Sequence, residues 1–157
     1  YYAFVYTHIL YGIELYANTF STYIDRLIKL NNKILRILLN QSRFCSVNEL
    51  YTSFNTLSIP VLHKRQILML VHNTLYHSSS LPDVFANYFT LNSSVHTYST
   101  RSHSDIHIYR AYTSFGQRSV TYKGGILWNS LPSDLKCIHL SVQFKSKLSH
   151  LFQTLLH

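Results

Sequence analysis

Six carboxylates, Glu14, Asp25, Glu49, Asp83, Asp105 and Asp134, are the acids with which this 157-residue chain could hold a metal ion or move a proton, and at least ten residues separate neighbours. Two-metal phosphoryl transfer needs carboxylates close enough to clamp the attacking and leaving oxygens together. No local pair of that kind stands in the sequence. Ten histidines raise the alternative of metal ligation, with His103 and His107, or His72 and His77, as the closest pairs to consider. The first pair falls where the pattern reads as loop and strand, so a spacing of four gives no common face; the second is one residue too long for a helix face. Cys45 and Cys137 are too few for a disulfide framework and too far apart for a Cys-x-x-Cys zinc site, and both read as reduced and structural. Serine is plentiful, but no Gly-x-Ser-x-Gly elbow is present to activate one. The expectation is a chain with no catalytic residue, metal site or cofactor of its own.

Charge is what remains. Fourteen Lys and Arg against six acids give a net charge of +8, the footprint of a polyanion binder. Within 23–39 the apolar residues Ile24, Leu27, Ile28, Ile34, Leu35 and Leu38 recur at helical spacing, while Arg26, Lys29, Lys33 and Arg36 follow steps of three, four and three. At about 100° per residue those four cations fall within roughly 80° of one another, opposite the apolar stripe. Such a rail can track a nucleic-acid backbone, each cation displacing a condensed counterion from a phosphate. An ordinary solvated basic face gives the same pattern.

The elements that would carry this face are mostly helical. Periodicity predicts a helix over Tyr1 to Tyr16 packed antiparallel on one over Thr22 to Leu39, across a turn at Ala17 to Ser21. It predicts a shorter helix over Val47 to Leu57 capped by Ser46 or the polar cluster before it, another over Pro60 to His77, and a short one from Pro82 to Phe89. Ser93 to Ser104 is polar and reads as a loop. Asp105 to Ala111 and Gln117 to Tyr122 alternate as two strands of a small hairpin around Phe115-Gly116, with Gly124-Gly125 breaking the run before a turn at Asn129 to Pro132. A last helix over Leu140 to Leu156, capped by Ser141, carries Val142, Phe144, Leu148, Leu151, Phe152 and Leu155. Trp128 reads as a wedge against it. Tyr2, Tyr6, Phe20, Phe44, Phe54, Phe85 and Phe89 lie in apolar patterns that place them in the core. The fold class is therefore mainly α: a helical bundle over 1–92, then a loop, β-hairpin and C-terminal helix over 93–157. Apolar residues make up 46% of the chain, enough for a core, and no uncharged run reaches the length of a membrane span.

Four stretches in this order carry a resemblance. YKGGILWNSLP, from Tyr122 to Pro132, followed by FKSKLSHLF from Phe144, is similar to a Tyr-x-Gly-Pro-x-x-Trp-Asn-Ser-Leu-Pro block and Phe-Lys-x-x-Leu helix, with Gly125 where proline is usual. The opening YYAFVYTHILYGIELYANT matches a second pattern at His8, Tyr11, Gly12 and Ile13, departing from it at Thr7, Tyr16 and Ala17. LIKLNNKILRILLN matches a third at Leu27, Lys29, Asn32, Lys33, Leu35, Arg36 and Ile37. HTYSTR, His96 to Arg101, follows LPDVFANYF as a His-x-Tyr-Asn-Thr-Arg motif follows a Leu-Pro-x-x-Phe helix, with Ser99 for the asparagine. Together they resemble the end of the reverse transcriptase encoded by LINE-type (non-LTR) retrotransposons.

That resemblance implies a C-terminal piece of an RNA-directed DNA polymerase, lying after the palm whose paired aspartates do the chemistry. The region after the palm is a helical thumb that grips template and primer. The implied partners are the RNA template, the DNA primer or duplex backbone, and the upstream palm and fingers of the same polymerase. The implied setting is a nuclear or cytoplasmic ribonucleoprotein, with no membrane. The nucleic-acid-binding residues it points to are Arg26, Lys29, Lys33 and Arg36, joined by Arg101 and Lys123 from the matching blocks. For Arg101 a structural role stays open, since a guanidinium anchors a loop to carbonyls as readily as it holds a phosphate. Two other readings of the whole also stay open: an interaction module that braces the polymerase lobes, and an inert relic of a truncated element.

Overall fold

The computed structural model describes residues 1–85, 87–95 and 101–154. Among them are ten α-helices and no β-strand. In chain order these are α1 Thr7–Leu10, α2 Ile13–Tyr16, α3 Ser21–Leu38, α4 Val47–Ser53, α5 Ile59–Tyr76, α6 Asn92–Val95, α7 Ser114–Gln117, α8 Val120–Asn129, α9 Ser133–Lys136 and α10 Ser141–Thr154. The chain forms two compact units, Tyr1–His63 with His150–His157, and Lys64–Ser149.

In the first unit the opening helix is broken. A π-helical turn over Tyr2–Tyr6 leads into α1, and Gly12, at φ +65°, starts α2 in a new direction. A side chain there would be strained in the left-handed region, so glycine is what lets the chain turn. Ile9, Ile13 and Ala17 then pack with Leu57, Ile59 and Leu62, and Leu27, Ile28 and Phe152 close around them. A second, polar centre holds α3 to its neighbours. Tyr51 Oη donates to Asn32 Oδ1 at 2.7 Å and accepts from Asn31 Nδ2 at 3.0 Å, while Tyr1 Oη donates to Asn31 Oδ1 at 2.9 Å. Both asparagines are buried. Burial pushes the Tyr1 phenol up to about 12 and raises Tyr51 as well, which keeps both hydroxyls available as donors.

In the second unit α5 lies against α8 and α10 through aromatic rings. His72, fully buried, stacks on Phe144 with centroids 4.3 Å apart, and Trp128 meets Phe144 at 5.7 Å. The 136–139 segment is tied to the C-terminal end of α5 and the residue after it through its carbonyls: His72 Nε2 bonds Ile138 O at 2.7 Å, His77 Nε2 bonds His139 O at 2.8 Å, and Tyr76 Oη donates to Lys136 O at 2.6 Å.

The His72 imidazole is held below its usual pKa, first by burial and also by the neighbouring His77 and His139. The folded state therefore binds fewer protons than the unfolded chain, so this group's contribution to stability is present above about pH 6.5 and is lost as the pH falls below it. The unfolding free energy from urea melts should drop between about pH 7.5 and about pH 5.5, by up to ~1.4 kcal/mol per pH unit for the one proton concerned. His72→Gln, which keeps an N–H for the Ile138 carbonyl, should flatten that part of the profile. Identical slopes in the two proteins would assign the dependence elsewhere.

The expected β-hairpin is not formed. Ile106 does form a β-bridge, but the backbone partners of 105–107 are not residues 117–122. Asn129 clamps Ile106 from both sides, its Oδ1 accepting from Ile106 N–H and its Nδ2 donating to Ile106 O, each at 2.9 Å. On the other edge Asn92 N–H bonds Asp105 O and His107 N–H bonds Thr90 O, leaving a single bridge between Leu91 and Ile106. With those groups satisfied no second strand is required. Residues 120–129 are helical because Ser119 Oγ accepts from Tyr122 N–H at 3.2 Å and starts α8. Gly124 and Gly125 sit inside that helix and do not break it. A Cβ at 124 would come within 2.6 Å of the Phe89 ring, and one at 125 within 2.9 Å of Ile108. Their helix-weakening effect is accepted where backbone must approach side chains closely.

Smaller corrections have similar causes. Tyr2, Phe20 and Phe44 are exposed, and Phe44 instead lies under the Arg43 guanidinium, 4.7 Å from its centroid. Phe89 alone of the seven aromatics is fully buried; Tyr6, Phe54 and Phe85 are half-buried. Pro82 to Phe89 reduces to one 3-10 turn at Asp83–Phe85, with Ala86 outside the described residues. The shorter helix ends at Ser53. Ser141 donates to Asn73 Oδ1 at 3.1 Å. Asn129 closes a helix, and α9 intervenes before the last one. Leu155 and Leu156, read into that helix, lie outside the described residues.

Candidate nucleic-acid interface

Helix α3 sets the geometry of the rail. Its buried arc is Leu35 with Asn31 and Asn32, flanked by Ile24 and Ile28. On the opposite side Arg26, Lys29 and Lys33 are exposed, one turn apart along the axis, and no ion pair among the described residues engages them. The one carboxylate on this stretch, Asp25, is also exposed and lies at the far edge of the rail. Arg36, the fourth member of the expected set, is different. It is half-buried, and its Nη2 donates to Cys45 O at 3.2 Å, fastening the 40–46 loop to the helix. The open rail therefore has three cations.

Between the rail and the buried arc α3 exposes apolar side chains, of which the sequence pattern assigns Leu38 to the apolar stripe. Tyr23, Leu30, Ile37 and Leu38 are all more than half exposed. Of these, Leu30 joins Leu27 and Ile34 as one side of an open groove of about 500 Å³, whose other wall is Phe4, Val5 and Ile9. Arg26 and Lys33 stand one turn on either side of Leu30, so the groove has a cationic edge.

Arg101 and Lys123 belong to the second unit. Arg101 is exposed in a turn, immediately after His96 to Thr100 of the HTYSTR motif, which lie outside the described residues. Lys123 is half-buried on α8. Burial, and then the charge of Arg118, hold its ammonium below the usual lysine range, so an approaching anion would relieve both. The same unit exposes Tyr109, Tyr112 and Phe115, with the Arg110 guanidinium 5.5 Å from the Tyr112 centroid. The hairpin reading hid this cluster by splitting it between a strand, which took Tyr109 and Arg110, and the connection that took Tyr112 and Phe115. The signal that could have revealed it is charge spacing: no acid stands between Asp105 and Asp134, while Arg110, Arg118 and Lys123 do.

Among the described residues no three His, Cys, Asp or Glu side chains converge as metal ligands, and no helix is long and apolar enough to cross a membrane. No family model, curated protein or solved structure matches the chain.

Proposed function

We propose that this chain is a nucleic-acid-binding module, the thumb-like C-terminal portion of a LINE-type reverse transcriptase, which holds template and primer by their backbones while a palm outside this sequence polymerises. The observation that carries the reading is the exposed rail of Arg26, Lys29 and Lys33 on the longest amphipathic helix of the first unit. Arg26 and Lys33 are about 10 Å apart along the axis at 1.5 Å per residue, a span that reaches successive phosphates of one strand. Contacts of this kind position a duplex without reading its sequence. The six carboxylates stand singly along the chain, which suits binding without phosphoryl transfer.

The test is a titration of labelled RNA–DNA hybrid with the purified chain over a range of salt. Binding with little sequence preference and an affinity that falls steeply with salt is expected. Absence of binding at low salt would reject the reading. It would leave the alternative favoured by the apolar groove, a module that braces neighbouring polymerase lobes through Phe4, Leu27 and Leu30.

A further inference from the structure

The second unit contains a cleft of about 200 Å³ between the 88–90 segment, the extended 107–111 segment and the first turn of α8. Its walls are largely rings, those of Tyr88, Tyr109 and Tyr122, with His107 packed edge-on to Tyr109 at 4.7 Å. Thr90 also lines the cleft, with its hydroxyl turned into the wall. That hydroxyl is buried and has no hydrogen-bond partner among the described residues. A buried hydroxyl without a partner is uncommon, and a rotation about χ1 brings this one to a donor or acceptor seated in the cleft. One cation, Arg110, lines the cleft, and Arg118 and Lys123 lie next in sequence on either side of Ser119 to Tyr122, three of whose residues line it.

From this juxtaposition we infer that the cleft is a nucleotide subsite for an unpaired strand, with a base against the Tyr88, Tyr109 and Tyr122 rings, its edge on the Thr90 hydroxyl, and the adjoining phosphates on Arg110 and the Arg118–Lys123 pair. Each part matches what single-strand binding requires: aromatic faces on which any base can stack, and cations that follow the backbone. A paired base is already stacked on both faces and must leave the duplex before it can enter a cleft. Thr90 can both donate and accept, so the site tolerates different bases. The inference rests on the nucleic-acid reading above and adds to it a second site, for a strand in single-stranded form. A free mononucleotide offers the same chemistry, and the experiment separates the two.

Anisotropy titrations of labelled oligo-dT, oligo-rU and an RNA–DNA hybrid should be run on the wild-type chain and on Tyr109→Ala, Tyr109→Phe, Arg110→Ala and Thr90→Val. Tyr109 and Arg110 are exposed, so their variants keep the fold, as circular dichroism would verify. Tyr109→Ala should weaken oligonucleotide binding about tenfold, the range found for loss of one stacking ring. Tyr109→Phe should bind as wild type, Arg110→Ala and Thr90→Val should weaken single-strand binding, and hybrid affinity should stay within about twofold throughout because the rail is untouched. Competition by uridine monophosphate as effective as by the oligonucleotide would assign the cleft to free nucleotides. Hybrid binding together with single-strand binding unchanged in all four variants would overturn the subsite and leave the rail reading standing. If neither ligand binds the wild type, both fall together.

Discussion

Replacing Trp128 with alanine should cost about 3–5 kcal/mol, a large share of the ~5–15 kcal/mol that holds a domain of this size together. Trp128 is only 2% exposed, and it packs on Phe144, itself fully buried, which also stacks on His72. Truncation would leave a void between α5, α8 and α10 that rings cannot collapse into, because Phe144 is fixed by His72 on its other face. The measurement is urea unfolding followed by circular dichroism, since the variant loses the chain's one tryptophan fluorophore. A base-stacking role for Trp128 predicts the opposite outcome, unchanged stability with weakened nucleic-acid binding. A stable variant that no longer binds would show that the residue faces a ligand.

The second large effect concerns the rail. Arg26→Gln, Lys29→Gln and Lys33→Gln combined should lower the slope of log affinity against log salt by about 3 units, at ~0.9 per phosphate contact for a B-form duplex. Stability should barely move, because all three side chains are exposed and without ion-pair partners among the described residues. Adding Arg36→Gln should leave the slope where it was and instead loosen the loop that Arg36 holds through the Cys45 carbonyl. A further fall of about one unit on that fourth change would mean that Arg36 leaves Cys45 to reach a phosphate. Wild-type affinity in the triple variant would reject the rail altogether.

The parts of the fold legible in the sequence were those whose periodicity runs long. α3, α5 and α10 span enough turns for the 3.6-residue repeat to dominate, and the ends of α3 and α5 and the start of α10 lie close to where the pattern puts them. The 105–129 region was misread because its decisive interactions are non-local and polar. A side-chain amide at Asn129 replaces the neighbouring strand, and a glycine pair marks close packing on Phe89 and Ile108 in place of a turn. Asn31 and Asn32 were opaque for a related reason: an asparagine reads as surface until a buried tyrosine such as Tyr51 is found between the two. Of the candidate interface, helical spacing placed Arg26, Lys29 and Lys33 on one face. Spacing alone could not tell that Arg36 turns to a carbonyl, or that part of the apolar stripe beside the rail stays open.

That open stripe bears on how the protein will behave in a cuvette. A groove lined by Phe4, Leu27, Leu30 and Ile34 is accessible in the native state, so the folded protein should enhance the fluorescence of anilinonaphthalene sulfonate, whose sulfonate also suits the neighbouring Arg26 and Lys33. Such a signal ordinarily marks a molten globule, in which packing is lost and apolar surface exposed. For this chain dye brightening reports the intact groove, and loosening of the core must be followed by the near-ultraviolet dichroism of Trp128 and the tyrosines.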